Sequence, residues 1–457
     1  MKIASSWLAP AKREPVAREG DALELVGLLP IMAFALAVRL VWLDRIPTNV
    51  MPDEADNMSD VYHILAGTGP GLIGLDWTQL PALNVHLMAL VVRIFGVSVV
   101  GMRMAAVLTS TLALVPFYFL ARRVAKPGPS LLATLLFSTS LWYLNFSRTA
   151  WSNVHVVLFG LLVIWLLLEA LDRQKRYLYV LAGVALALTL YGYYAGRAVA
   201  VALLLYLPVG LLTDRQEWRS KLGGYLLMLA VAAALFLPQA GLMLANPQAS
   251  NTRVDAVYIF NQAQPYLGVT DSVQLVLHQT ERVVRGFLLL DGSVFNTPRY
   301  TPAGVPPVDY VTGVLYVAGL FLALAVFREV FLWYLVLAVS LFATQVLTIA
   351  TPDTGRAIVV GPILYLFVAV TLDSLGGLLH RRLPQALLVL ALVLSAYNLW
   401  WYFDWAQRPE TAQARQPAVE YQEFERWQQL QIERALRGER GFTVTEWHLM
   451  RQQERAD

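Results

Sequence analysis

The chain has no cysteine, little charge and very little lysine, and each shortage removes a class of function. With no cysteine among 457 residues, disulfides, thiol nucleophiles and cysteine-ligated metals are excluded. Charged residues make up 15% of the chain and hydrophobic ones 57%, with mean hydropathy +0.53. Soluble globular chains carry about 25% charged residues. The net charge of +3 is too small to mark a nucleic-acid binder. No glycine-rich phosphate loop of the nucleotide type is present. That argues against an ATPase and against an enzyme fed by a soluble nucleotide sugar. The histidines (His63, His86, His155, His278, His380 and His448) show no metal-ligand spacing. His63 and His86 lie near an acidic cluster, so a divalent metal there stays open but unsupported, and no cofactor is required.

What the chain does have is apolar runs of bilayer-spanning length, roughly 17–25 residues. They fall at 22–43, 98–121, 130–147, 153–171, 177–192, 196–213, 222–240, 310–327, 331–350, 357–378 and 384–403. The expected fold class is therefore an all-α polytopic membrane protein. It has about eleven transmembrane helices, with interfacial helices in the first outer loop. The stretch Met1 to Gly20 is polar and basic and the first span lacks a small-residue cleavage site, so that span reads as an uncleaved helix.

The five lysines decide the topology: Lys2, Lys12, Lys126, Lys175 and Lys221. All fall on one side, with Arg122-Arg123 and Arg381-Arg382, if the short apolar segment 82–97 lies in the interface and does not cross. The positive-inside rule then places segment 1–21 in the cytoplasm. The transmembrane domain is 22–404, with outer loops 44–97 and 241–309. The tail 405–457 is extracytoplasmic, and within it 418–437 reads as an amphipathic helix polar on most faces.

Two constellations lie on that outer side. Pro52-Asp53-Glu54-Ala55-Asp56 follows the first span. Acidic residues there can cap a helix start, or one can serve as general base toward an acceptor hydroxyl. Asp53 and Glu54 are the catalytic candidates, and Asp56 reads as a solvated cap. Isolated arginines occupy the outer turns: Arg148, Arg197, Arg299 and Arg356. Each alone could snorkel to lipid headgroups. As a set, arginine forks suit a phosphate and can steady it as a leaving group. Trp151, Tyr193 and Tyr194 beside them are belt residues or sugar-stacking faces.

The ordered set resembles a known family. It comprises the first helix, the outer acidic pair, the interfacial segment, then Phe95-Gly96-Val97-Ser98 through Met102-Arg103 and a helix ending in Leu120-Ala121-Arg122-Arg123. Later come Phe146-Ser147-Arg148, Tyr193-Tyr194-Ala195-Gly196-Arg197, Phe295-Asn296-Thr297-Pro298-Arg299-Tyr300, and Gly355-Arg356 with Gly361-Pro362. The set is similar to the GT-C membrane glycosyltransferases, in the dolichyl-phosphate-mannose protein mannosyltransferase-like superfamily. Among its bacterial members are aminoarabinose transferases. The resemblance covers roughly 20–403. It implies transfer of a sugar, with inversion, from a polyprenyl-phosphate donor to a lipid, glycan or protein acceptor outside a bacterial plasma membrane. It also implies Asp53 as base with Glu54 beside it, and Arg148, Arg197 and Arg356 on the donor phosphate. Tyr193, Tyr194, Arg299 and Trp151 are candidate substrate contacts. One departure is plain: the family's second carboxylate falls nearest Asn153, so it is either missing here or supplied elsewhere, with Asp353 as a candidate. Two other classes compete. A transporter or lipid flippase predicts repeats and charges at mid-membrane. A non-catalytic subunit predicts a carboxylate facing away from any cavity.

Overall fold

The computed structural model describes residues 21–262, 268, 271–378, 383–415 and 421–456. Segment 1–20, His380, Arg381 and Arg382 lie outside the described residues. Every element found among the described residues is helical. In order these are α1 (Asp21–Leu40), α2 (Pro52–Leu65), α3 (Leu83–Phe95), α4 (Val99–Leu112), α5 (Leu114–Ala121), α6 (Pro127–Thr139) and α7 (Leu141–Ser147). There follow α8 (Asn153–Arg173), α9 (Arg176–Leu190), α10 (Ala195–Thr213), α11 (Arg215–Ala245), α12 (Pro247–Val257) and α13 (Ser272–Phe287). The rest are α14 (Tyr310–Leu322), α15 (Phe327–Leu341), α16 (Val360–Leu378), α17 (Leu383–Trp405), α18 (Pro409–Ala414), α19 (Tyr421–Leu436) and α20 (Val444–Ala456).

The apolar runs do become helices, but not always whole ones. Among the described residues six helical runs are long and apolar enough to cross a membrane, and four shorter apolar helices accompany them. The expected figure of about eleven spans is not reached by this measure. It took short helices such as α9 as spans, and it divided the helical run Tyr310–Val346 in two. Span 130–147 breaks at Ser140, whose φ −51°, ψ 126° leaves the helical region, and α7 starts afresh beyond it. Segment 82–97 forms α3, whose 13 residues rise about 20 Å, well short of a roughly 30 Å hydrocarbon core.

One apolar core runs through most of the bundle. Helices α8, α9 and α11 pack in sequence, α16 lies between α14 and α6, and α10 meets α15. The closest approach is at Gly319 of α14: a Cβ there would collide with the Phe367 carbonyl of α16, so only glycine lets these backbones meet. A second core forms beside the first, from α2, α3, the start of α4 and the tail. The amphipathic helix expected at 418–437 is α19, and its apolar stripe packs on the first outer loop. Phe424, Trp427, Val444 and Trp447 are buried together with Met58, Tyr62 and Val85 of the first outer loop. The loop and tail therefore form one cap over one end of the bundle.

Candidate functional site

Helix α2 sets the acidic cluster. Pro52 at its first turn presets the backbone, and the N-cap residue is Met51, which makes no side-chain capping bond. Asp53 is thus not the N-cap. Its Oδ2 accepts a hydrogen bond from the Tyr300 hydroxyl at 3.4 Å and faces Arg299 Nη1 at 3.8 Å. Burial, and then the charge of Asp53, raises the Tyr300 phenol well above its ordinary pKa, so it stays a neutral donor.

Arg299 and Tyr300 form part of the wall of a cavity of about 620 Å³. Trp151, Tyr193, Tyr194, Arg197, Asp353 and Arg356 also line it. Tyr300 stacks on Trp151 with centroids 5.1 Å apart, and Trp151 meets Tyr193 edge-on at 5.8 Å. The Trp151 ring fits where Gly355 passes, since a Cβ at 355 would stand 2.8 Å from it. Arg356 is anchored by Nη2 to the Ile349 carbonyl at 2.6 Å and by Asp353 at 3.5 Å, while its Nη1 has no partner among the described residues. Arg197 lies over the Tyr194 ring at 4.6 Å, and its Nη2 likewise has no partner. The wall thus carries two guanidinium donors with N–H groups to spare, among aromatic and aliphatic side chains. Asn153 is buried, its Nδ2 toward the Gly355 carbonyl at 3.5 Å. Among the described residues the only carboxylate lining this cavity is Asp353, two residues before Gly355.

A family model for dolichyl-phosphate-mannose-protein mannosyltransferase matches residues 80–241. The undecaprenyl phosphate-alpha-4-amino-4-deoxy-L-arabinose arabinosyl transferase of Pseudomonas paraeruginosa is 28% identical over 203 residues, covering 42% of this chain and 36% of that protein. An uncharacterised protein of Aquifex aeolicus is 29% identical over 167 residues, 36% of this chain and 32% of that one. The chain spans about a third of the length of these relatives (36% and 32%). In structure, the Archaeoglobus fulgidus oligosaccharyltransferase AglB, in complex with an inhibitory peptide and a dolichol-phosphate, superposes with TM-score 0.59 at 13% identity. It covers 92% of this chain and 60% of that one. ArnT from Cupriavidus metallidurans bound to undecaprenyl phosphate gives TM-score 0.54 at 16% identity, covering 90% of this chain and 73% of that one. The chain has a GT-C fold.

Not every candidate residue of this GT-C fold reaches the cavity. Glu54 does not fit the catalytic role expected of it. It is wholly buried, with Oε1 accepting from Arg103 Nε at 2.7 Å and from the Ala150 amide at 2.9 Å, and Oε2 from Arg103 Nη2 at 3.1 Å. Next to Asp53 in sequence, it points about 100° away around the helix and clasps α4 to the turn before α8. Arg148 does not fit a phosphate-binding role either. Its Nη1 donates to the Val38 and Arg39 carbonyls at 2.7 Å, and its Nη2 to Val41 at 2.6 Å and Ile46 at 3.0 Å. These are the orphan carbonyls at the end of α1 and in the turn beyond, so Arg148 acts as the C-terminal cap of α1.

Asp56 corrects the solvated-cap reading. It is buried, accepts from the Val444 amide at 3.1 Å, and is pushed up to about 7 by burial. Sequence reasoning quoted Tyr300 only inside a motif and passed over the carboxylates of α2 beyond Asp56. The signal for the latter was the spacing Asp53, Asp56, Asp60, His63, which lies on one helical stripe. Among the described residues no cluster of three His, Asp or Glu could hold a metal ion.

Proposed function

We propose that this GT-C protein is a membrane glycosyltransferase that moves a sugar from a polyprenyl-phosphate donor to an acceptor hydroxyl, with inversion. The observation that carries the reading is the company of Asp53: its partners Arg299 and Tyr300 belong to the same cavity wall as the spare N–H groups of Arg197 and Arg356. The arabinosyl transferase, AglB and ArnT named above use or bind an undecaprenyl or dolichol phosphate by their descriptions.

In this mechanism the donor's phosphate lies against Arg197 and Arg356, with its polyprenyl chain along the aliphatic wall around Val339 and Leu347. Arg299 and Tyr300 hold Asp53 oriented. Asp53 takes the acceptor's hydroxyl proton while the oxygen attacks the anomeric carbon. The bond from that carbon to the phosphate oxygen breaks, and polyprenyl phosphate leaves as an anion already stabilised by arginine, so no general acid is needed. A single displacement inverts the anomeric centre. Trp151, Tyr193 and Tyr194 offer faces to the sugar.

The same reading places the protein in a bacterial plasma membrane with its N-terminus cytoplasmic and its C-terminus outside. Its support is the shared packing of the tail with loop 44–97, which puts both on one side of the bundle. The acceptor is a lipid, glycan or protein. Transfer from a synthetic polyprenyl-phosphate sugar by purified Asp53→Asn tests the proposal. Loss of transfer with donor binding retained is expected; a variant as active as the parent sinks it. Movement of donor lipid across a vesicle membrane without any transfer would establish the flippase class instead.

A further inference from the structure

A second cavity of about 470 Å³ lies between α2, loop 68–79 and the tail segment 438–443. It shares no lining residue with the first. Four carboxylates line it: Asp56, Asp60, Asp76 and Glu439, the last paired with Arg437 at 2.7 Å. Asp56 and Asp60 stand one helical turn apart on α2, with His63 a further turn along.

Among the described residues none of the three aspartates is in an ion pair. Asp56 accepts from the Val444 amide, Asp60 from the Trp77 amide at 2.8 Å, and Asp76 Oδ1 from Thr78 and the Leu80 amide at 2.7–2.9 Å. Asp76 Oδ2 has no partner among the described residues, although the residue is only 3% exposed. The cationic side chain in the lining, Arg440, is already paired with Glu446. His63 provides a second and independent orphan. Its Nδ1 lies 3.1 Å from Thr68 Oγ1, whose own hydrogen has backbone carbonyls at 3.3–3.4 Å to receive it. With Nδ1 donating to Thr68 Oγ1, Nε2 is a buried acceptor with no partner among the described residues. The unmet groups here are all acceptors. Trp77 and Phe442, whose ring faces can attract a cation, complete the wall.

Acceptors without donors call for a ligand that donates in several directions and carries positive charge. A divalent metal is disfavoured because these groups do not converge to a coordination set. An ammonium offers three donors and no acceptor. We propose that this second cavity binds a protonated primary amine, carried by an amino sugar or by an aminated lipid headgroup. The inference rests on the cavity itself and not on sugar transfer.

The test is calorimetric titration of the purified full-length chain with glucosamine, ethanolamine, N-acetylglucosamine and magnesium chloride. Glucosamine or ethanolamine should bind, which distinguishes the two sources, and N-acetylglucosamine should bind at least about tenfold more weakly, a difference of about 1.4 kcal/mol. Asp60→Asn and Asp76→Asn should each weaken the amine about tenfold. Gln79→Lys, which tethers an ammonium in the lining, should abolish binding with the helical circular dichroism unchanged. Arg356→Ala, in the first cavity, should leave it untouched. Asp76 also ties its own loop, so if that variant does not fold, Asp60→Asn and Gln79→Lys decide. Equal binding of N-acetylglucosamine, stronger binding of magnesium than of either amine, no binding of either amine, or an undiminished affinity in Asp60→Asn would overturn the proposal.

Discussion

Replacing Arg148 by alanine separates two roles that its place in an outer turn leaves equal. The guanidinium donates to four carbonyls at 2.6–3.0 Å and lies 5.1 Å from the Phe403 ring centroid. Hydrogen bonds to a charged group contribute about 1.5–3 kcal/mol each. Four from one guanidinium do not add, because they share its charge and its desolvation. Leaving the end of α1 uncapped and buried costs about 3–5 kcal/mol, as for a broken buried ionic contact. Unfolding temperature moves by about 2–4 °C per kcal/mol in chains of 150–250 residues and by less in longer ones. The expected fall is then on the order of 5 °C. Arg148→Lys should recover part of it, since an ammonium reaches some of these carbonyls but lacks the planar fork. The assay is thermal unfolding of both variants at one scan rate, together with donor KM in whatever fraction stays folded. An unchanged melting temperature with a donor KM raised tenfold would refute the capping argument and restore Arg148 to the phosphate.

Arg197→Ala and Arg356→Ala should each raise donor KM about tenfold, equivalent to 1.4 kcal/mol, and the melting temperature should fall for Arg356→Ala alone, because only Arg356 also ties the 349–353 turn. Asp53→Asn should lower kcat by about 10²–10⁴-fold with donor KM held, as read by initial rates. Asp56 and Asp60 are both raised to about 7 by burial. The folded state therefore holds protons that the unfolded chain releases near pH 4, and the stability of the loop–tail cap should fall from about pH 4 to pH 7 and then level off. Hydrogen exchange in 444–456 across that range should show it, and Asp56→Asn should flatten the curve. Gly441→Ala should loosen the same cap by about 1–3 kcal/mol through overpacking, since its Cβ would collide with Ser59 Oγ and stand 2.8 Å from His63 Nε2; an unchanged exchange rate in 444–456 would refute it.

Hydropathy made the helical bundle legible because a bilayer-length apolar run has few other fates. The break at Ser140 was not legible, since neither proline nor glycine marks it. One-sidedness of the outer turns foretold that Trp151, Arg197, Arg299 and Arg356 come near one another. It could not tell Asp53 from Glu54. That depends on Arg103, 49 residues away, arriving beneath the helix. Nor could it show that Arg148 faces the end of α1, because carbonyl partners have no sequence signature. The tail did carry a signal: Phe424, Trp427 and Gln431 recur at helical spacing on its buried side. Its many charges concealed that stripe.

The turn after α1 offers main-chain oxygens to two arginines at once. Arg148 takes Val41 and Ile46, and Arg103 takes Leu43, Pro47 and Asn49, besides Glu54. The segment works as a crown ether does, wrapping cations in neutral dipoles where water is excluded. A carbonyl belongs to every residue type. The exposed positions Asp44 and Arg45 can therefore exchange side chains as long as the backbone path survives, whereas Leu43 and Ile46 are held by burial and the two arginines by their planar fork. A saturation screen of this region should find the strictest demand at 103 and 148, and tolerance at 44 and 45.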